Sequence, residues 1–106
     1  MHIERQQHNS HLLLILSGSL DQNSLPLLAR AVHEGINHAQ KVILDFGNIA
    51  TISPCATQGL LSLSKECRQQ EQQLVLCKLQ NTVADALRPS GLLSLLPVYR
   101  TRGEAL

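Results

Sequence analysis

Lys41-Val42-Ile43-Leu44-Asp45-Phe46-Gly47, closed by Asn48, and the later Ser53-Pro54-Cys55-Ala56 decide the fold of this chain. The first segment is rich in β-branched and apolar residues and is stopped by Gly47-Asn48, which predicts a buried strand. In the second, Ser53 is an N-cap residue and Pro54 stands at the first helical position, where its missing N–H costs nothing. The helix so opened buries Ala56, Leu60, Leu63 and Cys67 at helical spacing and reaches the Gln-rich segment near Gln70. A strand feeding a helix is half of a βαβ unit, and the flanking sequence repeats the unit on both sides.

Upstream, His11-Leu12-Leu13-Leu14-Ile15-Leu16-Ser17, ended by Gly18, is a short continuous apolar run, the pattern of a central strand buried on both faces. His2-Ile3-Glu4-Arg5-Gln6 alternates weakly, and the polar Gln7-His8-Asn9-Ser10 supplies a hairpin turn, which makes it an antiparallel edge partner. Asn23-Ser24 is an N-cap pair with Pro26 in the first turn. Leu25, Leu28, Val32 and Ile36 form the apolar stripe of that helix, with Arg30, His33, Glu34 and Asn37 off it. Downstream, residues 73–79 read as a strand, Asn81 caps a short helix through Val83, Ala86 and Leu87, and Pro89-Ser90-Gly91 stops it. The stretch from Leu92 to Tyr99 holds a turn at Leu95-Leu96-Pro97 and a short edge strand over 98–101, and residues 102–106 read as a frayed tail. The class is α/β: a single domain over 1–106, with a four- to five-stranded mixed sheet, an N-terminal antiparallel hairpin and three to four helices.

Composition narrows the function. With 43% hydrophobic residues but only Phe46 and Tyr99 aromatic, the core is aliphatic. A net charge of +1, from nine basic and eight acidic residues without a basic run, argues against nucleic-acid binding and against attraction to anionic membranes. The N-terminus MHIERQQHNS lacks the charge and cleavage pattern of a secretory signal, and the apolar run 12–16 is too short to span a bilayer, so a cytoplasmic protein with no direct membrane insertion is expected. Cys55, Cys67 and Cys77 are odd in number and form no C-x-x-C pair, which points to reduced thiols. His8 with His11, and His33 with His38, lack a third ligand at metal-binding spacing, and no Walker or G-x-G-x-x-G pattern occurs, so neither a metal nor a cofactor is expected.

In open α/β sheets the ligand or partner surface lies outside the carboxyl ends of the strands. Here that edge holds Gly18 to Asp21, Gly47 to Cys55 and Leu79 to Thr82. The element order, together with Leu16-Ser17-Gly18-Ser19-Leu20-Asp21, Val42-Ile43-Leu44-Asp45-Phe46-Gly47-Asn48-Ile49 and the late Gly91-Leu92 pair, resembles the STAS family of anti-sigma-factor antagonists. The resemblance implies a non-enzymatic protein that binds an anti-sigma factor, often a serine kinase, and is switched off by phosphorylation of a serine in the signature Asp-Ser-Ser/Thr-Gly-Leu-Gly. Aligned without gaps from Asp45, the family's Asp falls on Ser53, its phosphoacceptor Ser on Pro54, the next Ser/Thr on Cys55 and its Gly on Ala56. The later small residue falls on Gln58, with Gly59 one place on. Pro54 cannot accept a phosphate, which leaves a docking surface without the usual switch.

The partner-binding residues expected on this reading are Gly18, Ser19, Leu20, Asp21, Asn48, Ser53, Pro54, Cys55, Thr57 and Gln58. Ser53 and Thr57 are the remaining phosphoacceptor candidates, although Ser53 has a structural use as N-cap. Gly47-Asn48 is read as a turn, and Asp21 and Asp45 as acceptors for exposed backbone N–H groups. Two other readings stay open. A soluble STAS subunit of a phospholipid-transport ABC system would use the same helix against an ATPase. A thiol enzyme would use Cys55, placed in the first helical turn, although no base adjoins it and Leu61 stands where the C-x5-R pattern of cysteine phosphatases needs Arg.

Overall fold

The computed structural model describes residues 1–8, 10–36 and 40–105, the side chain of Ile36 excepted. Asn9 of the expected hairpin turn, Asn37, His38 and Leu106 therefore lie outside the described residues, as does the packing of Ile36 in the apolar stripe. The elements run β1 (His2–His8), β2 (His11–Leu20), α1 (Leu25–Ile36), β3 (Lys41–Ile52), α2 (Pro54–Gln69), β4 (Gln73–Cys77), α3 (Asn81–Leu87), a 3-10 turn at Arg88–Ser90, α4 (Leu92–Leu95), β5 (Val98–Tyr99) and α5 (Arg102–Ala105). They build the expected mixed sheet, with five strands in sequential order; β1 pairs antiparallel with β2 and every other pairing is parallel. Among the described residues five α-helices and one 3-10 turn accompany it, α4 and α5 being single turns.

The period of two along each strand divides the core into two layers. Leu12, Leu14, Leu16, Val42, Leu44, Phe46, Leu74 and Leu76 meet Leu28 and Val32 of α1, Leu60 and Cys67 of α2, Val83 and Leu87 of α3, and Leu92 of α4. The alternate residues, Leu13, Ile15, Ile43, Val75 and Cys77, form a second layer with Ala105 and Tyr99. The C-terminal segment thus docks on the sheet face that the other helices leave open. Ala105 is fully buried, Arg102 pairs with the buried carboxylate of Asp45, and Lys41 Nζ donates to the Ala105 carbonyl at 2.7 Å. The frayed tail expected over 102–106 is corrected for 102–105. A face bearing five buried apolar side chains needs a cover, and this segment supplies it.

Several boundaries move for identifiable reasons. β1 continues through His8, which pairs with His11, so the turn is shorter than Gln7–Ser10. Gly18 does not end β2; it takes φ 110° inside a strand that runs on to Leu20. Gly47-Asn48 is not a turn. β3 passes through it to Ile52, accommodated by two irregularities against β2: Ile15 pairs with Asp45 but Ser17 with Asn48, and Gly18 pairs with Ile49 but Ser19 with Thr51. On its other side β3 loses β4 after Asp45, where that pairing stops. There the Gln80 side-chain amide donates to the carbonyls of Gly47 (2.9 Å) and Ile49 (3.0 Å), giving the unpaired edge its partners. Gln80, not Asn81, stands at the N-cap of α3, and its side chain makes no capping bond. β4 ends at Cys77, two residues short of Leu79, because Lys78 turns the chain with φ 58°.

Candidate docking surface at the strand-to-helix edge

Among the helices that open at the carboxyl edge, α1 and α2 are each fastened by a polar knot. At α2, Ser53 is extended (φ −86°, ψ 159°), and its Oγ accepts the Ala56 N–H at 3.1 Å. Its carbonyl accepts from Thr57 N–H (3.0 Å) and Thr57 Oγ1–H (3.1 Å), and its own N–H donates to Leu20 O at 2.9 Å. The last bond pins the start of α2 to the end of β2. Pro54 occupies N1 and is exposed.

At α1 the knot is Asp21 with Ser24. Asp21 Oδ1 accepts from Asn23 N–H (2.9 Å) and Ser24 N–H (3.0 Å), while Ser24 Oγ–H donates to Ser19 O at 2.9 Å. The Ser24 backbone N–H above all holds the Asp21 carboxyl below the usual carboxylate range, so this residue is an anion at neutral pH. Because its folded-state pKa is lowered, its contribution to stability is present above the ordinary carboxylate range and fades as pH falls through the folded value. The expected role of Asp21 as acceptor for turn N–H groups matches this geometry. Asp45 instead lies within β3, 2% exposed, where Oδ1 accepts the Gly47 N–H at 2.8 Å and Oδ2 faces Arg102.

The register places the exposed members side by side. Ser19 stands opposite Thr51, Gly18 opposite Ile49 and Leu20 opposite Ile52, with Asn48 opposite Ser17. Gly18, Ser19, Asn48, Pro54, Cys55 and Gln58 are exposed, and Asp21 and Ser53 are half-buried. Two expected contact residues are largely buried. Leu20 is wholly buried in the core, facing inward from the strand end, and Thr57 is 6% exposed with its hydroxyl bonded to Ser53 O.

Sequence reasoning missed two parts of the site. Thr51, exposed beside Ser19, was hidden by stopping the strand at Gly47. A groove of about 360 Å³ runs between Ile52, Pro54, Thr57 and Gln58 on one side and Ala86, Pro89 and Ser90 on the other. It exists because α3 and the 3-10 turn pack beside the first turn of α2, a long-range contact that no local pattern announces.

Of the three free thiols, Cys55 is exposed and Cys67 and Cys77 are core residues. Burial pushes the Cys77 thiol up to about 11 and raises that of Cys67. His33 meets Glu66, linking α1 to α2 away from this edge. Among the described residues no helix is long and apolar enough to cross a membrane.

Comparison with known proteins follows the same lines. The profile of the STAS domain family matches residues 2–105. BtrV of Bordetella bronchiseptica, assigned as an anti-sigma factor antagonist, is 36% identical over 78 residues, which are 74% of this chain and 65% of that protein. The chain thus spans just under two thirds of that relative's length. The anti-sigma F factor antagonist of Paenibacillus polymyxa is 25% identical over 108 residues, covering 100% of this chain and 92% of the relative. The crystal structure of a Thermotoga maritima protein assigned as an anti-sigma factor antagonist superposes with a TM-score of 0.87 at 16% identity, covering 97% of this chain and 90% of that one. At that identity the likeness shows a shared fold.

Proposed function

The chain belongs to the STAS domain family, and on that premise we propose that it is a non-enzymatic regulator that docks on an anti-sigma factor, or a related serine kinase, through the edge around Ser53 to Leu61, without the usual serine phospho-switch. The relatives named as antagonists support the general role. The observation that carries the finer reading is Pro54, exposed at the first helical position where the family's phosphoacceptor would stand. The two remaining candidates have structural uses that support this reading: the Ser53 hydroxyl accepts the Ala56 N–H, and the Thr57 hydroxyl is buried.

The surface suits a protein partner. It has a groove beside Pro54 and a smaller hollow beside Asp21, carries small and polar groups on strand ends, and is framed by two capped helices. A phosphate here would add nearly two negative charges to the area a partner covers, which is how the family's switch works. Without it, binding depends on partner concentration alone.

The test is retention from an extract of the native cell on the immobilised chain. The wild type should retain an anti-sigma factor or serine kinase. Gln58→Arg, which places a long cation at an exposed position beside the groove, should weaken that retention by about 30-fold, the effect of losing a hot spot of about 2 kcal/mol. Specific retention of an ABC ATPase alone would contradict the sigma-pathway reading and assign the chain to a transport assembly.

A further inference from the structure

The carboxyl edge carries two cations that no carboxylate of the described residues answers. Arg5, Arg30, Arg88 and Arg102 each pair with a carboxylate, and Lys41 is bonded to the Ala105 carbonyl. Lys78 and Arg100 are both exposed and enter none of these pairs. They follow the register partners Cys77 and Tyr99, and the Lys78 N–H donates to Tyr99 O at 3.1 Å, so they leave the sheet as neighbours. Asp45, on the adjoining strand, is committed to Arg102 and the Gly47 N–H.

The backbone at Lys78 adds a second observation. Its φ of 58° lies in the left-handed region, which is strained for any residue with a Cβ and free for glycine. Glu71, which shares this conformation, closes α2 by donating to Arg68 O at 3.1 Å. At Lys78 the strained turn ends β4 and lays the lysine stem against Gly47, where an added Cβ would lie 3.2 Å from Lys78 Cδ. Glycine would make the same turn without strain. Lysine keeps the strain and places an ammonium at the edge.

We infer that Lys78 and Arg100 form the anion-recognising end of the docking edge and receive an acidic segment of the protein partner. The inference rests on the proposed function and gives that surface a polarity. Across the strand order, the Asp21 carboxylate at the β2 end faces the Met1 ammonium across a shared hollow, while Lys78 and Arg100 leave the β4–β5 end with uncompensated positive charge. A partner whose acidic segment meets only that end docks in one orientation. Exposed charges at such a rim act chiefly on the rate of encounter and its salt dependence.

The experiment measures association of the purified anti-sigma protein retained by the wild-type chain, at low and at high salt. Lys78→Glu with Arg100→Glu should slow association about tenfold or more at low salt, with the difference collapsing at high salt. The control is Lys65→Glu with Arg68→Glu, which makes the same change in net charge on the far half of α2 and should leave the rate within about twofold. Equal slowing by both pairs, or none by the first, overturns the inference and leaves the proposed function standing. Lys78→Gly separates strain from charge: it should raise the urea midpoint and still slow association. A raised midpoint with unchanged association overturns the inference. Failure of the wild type to bind any anti-sigma protein overturns the proposed function and the inference with it.

Discussion

Phe46→Ala lowers the stability of this protein by about 3–5 kcal/mol, read as a shift of the urea midpoint at unchanged slope. Phe46 is the chain's one phenylalanine, is wholly buried, and lies in the layer between the sheet and the four helices α1 to α4. Its neighbours are aliphatic side chains held on strands and on both long helices, which collapse only in part around the space a ring leaves. A domain of this length has roughly 5–15 kcal/mol in total, so the variant loses at least about a fifth of its stability. Phe46→Leu, which keeps most of the volume, should cost less than half as much. Equal losses for the two variants would mean that the ring is not what fills the layer.

Ending the chain after Thr101 should cost about 2–4 kcal/mol and cause self-association, because it uncovers Leu13, Ile15, Ile43, Val75 and Cys77 on the second face of the sheet. It also deprives the buried Asp45 carboxylate of its guanidinium. The single change Arg102→Ala isolates the electrostatic part. It should cost about 1–3 kcal/mol, below the full penalty for breaking a buried pair, because the Arg102 side chain is 37% exposed and water already screens it. Asp45→Asn should recover part of that loss in the Arg102→Ala background, since it removes the unpaired charge and keeps an acceptor for the Gly47 N–H. Urea melts of the four proteins, with sedimentation of the truncated form, decide the point. A truncated chain as stable and as monomeric as the wild type would show that α5 is not a structural cover.

These two regions also show what could be read from the sequence. The apolar run from Leu12 to Leu16 announces a strand buried on both sides, and both sides are indeed buried. The same run demands a cover for the second face, but the segment that supplies it has little apolar character of its own. Arg102-Gly103-Glu104-Ala105 docks through one methyl group, one ion pair and one backbone carbonyl, none of which has a periodic signature. β3 was cut short for a similar reason. Gly47-Asn48 is a sound local stop signal, yet the bulged pairing with β2 and the Gln80 amide outweigh it.

At the candidate site, the Ser53-Pro54 cap was legible because its chemistry is local: the acceptor and the N–H it serves are three residues apart. The inward orientation of Leu20 and Thr57 was not, because it depends on which way a strand end and a helix face point after tertiary packing. The groove beside Pro54 and the exit of Lys78 and Arg100 from neighbouring strands are products of topology. Local sequence reading thus reaches the Ser53-Pro54 cap; only the packed fold selects which residues are presented beside it.

The central claim is that this edge binds its partner without a phospho-switch. The most direct measurement is the intact mass of the protein after incubation with its purified anti-sigma partner and MgATP, with the Kd determined before and after. The predicted result is an unchanged mass and a Kd constant within about twofold. Stoichiometric addition of one phosphoryl group, at Ser53 or any other hydroxyl, with binding weakened by about tenfold or more, would contradict it.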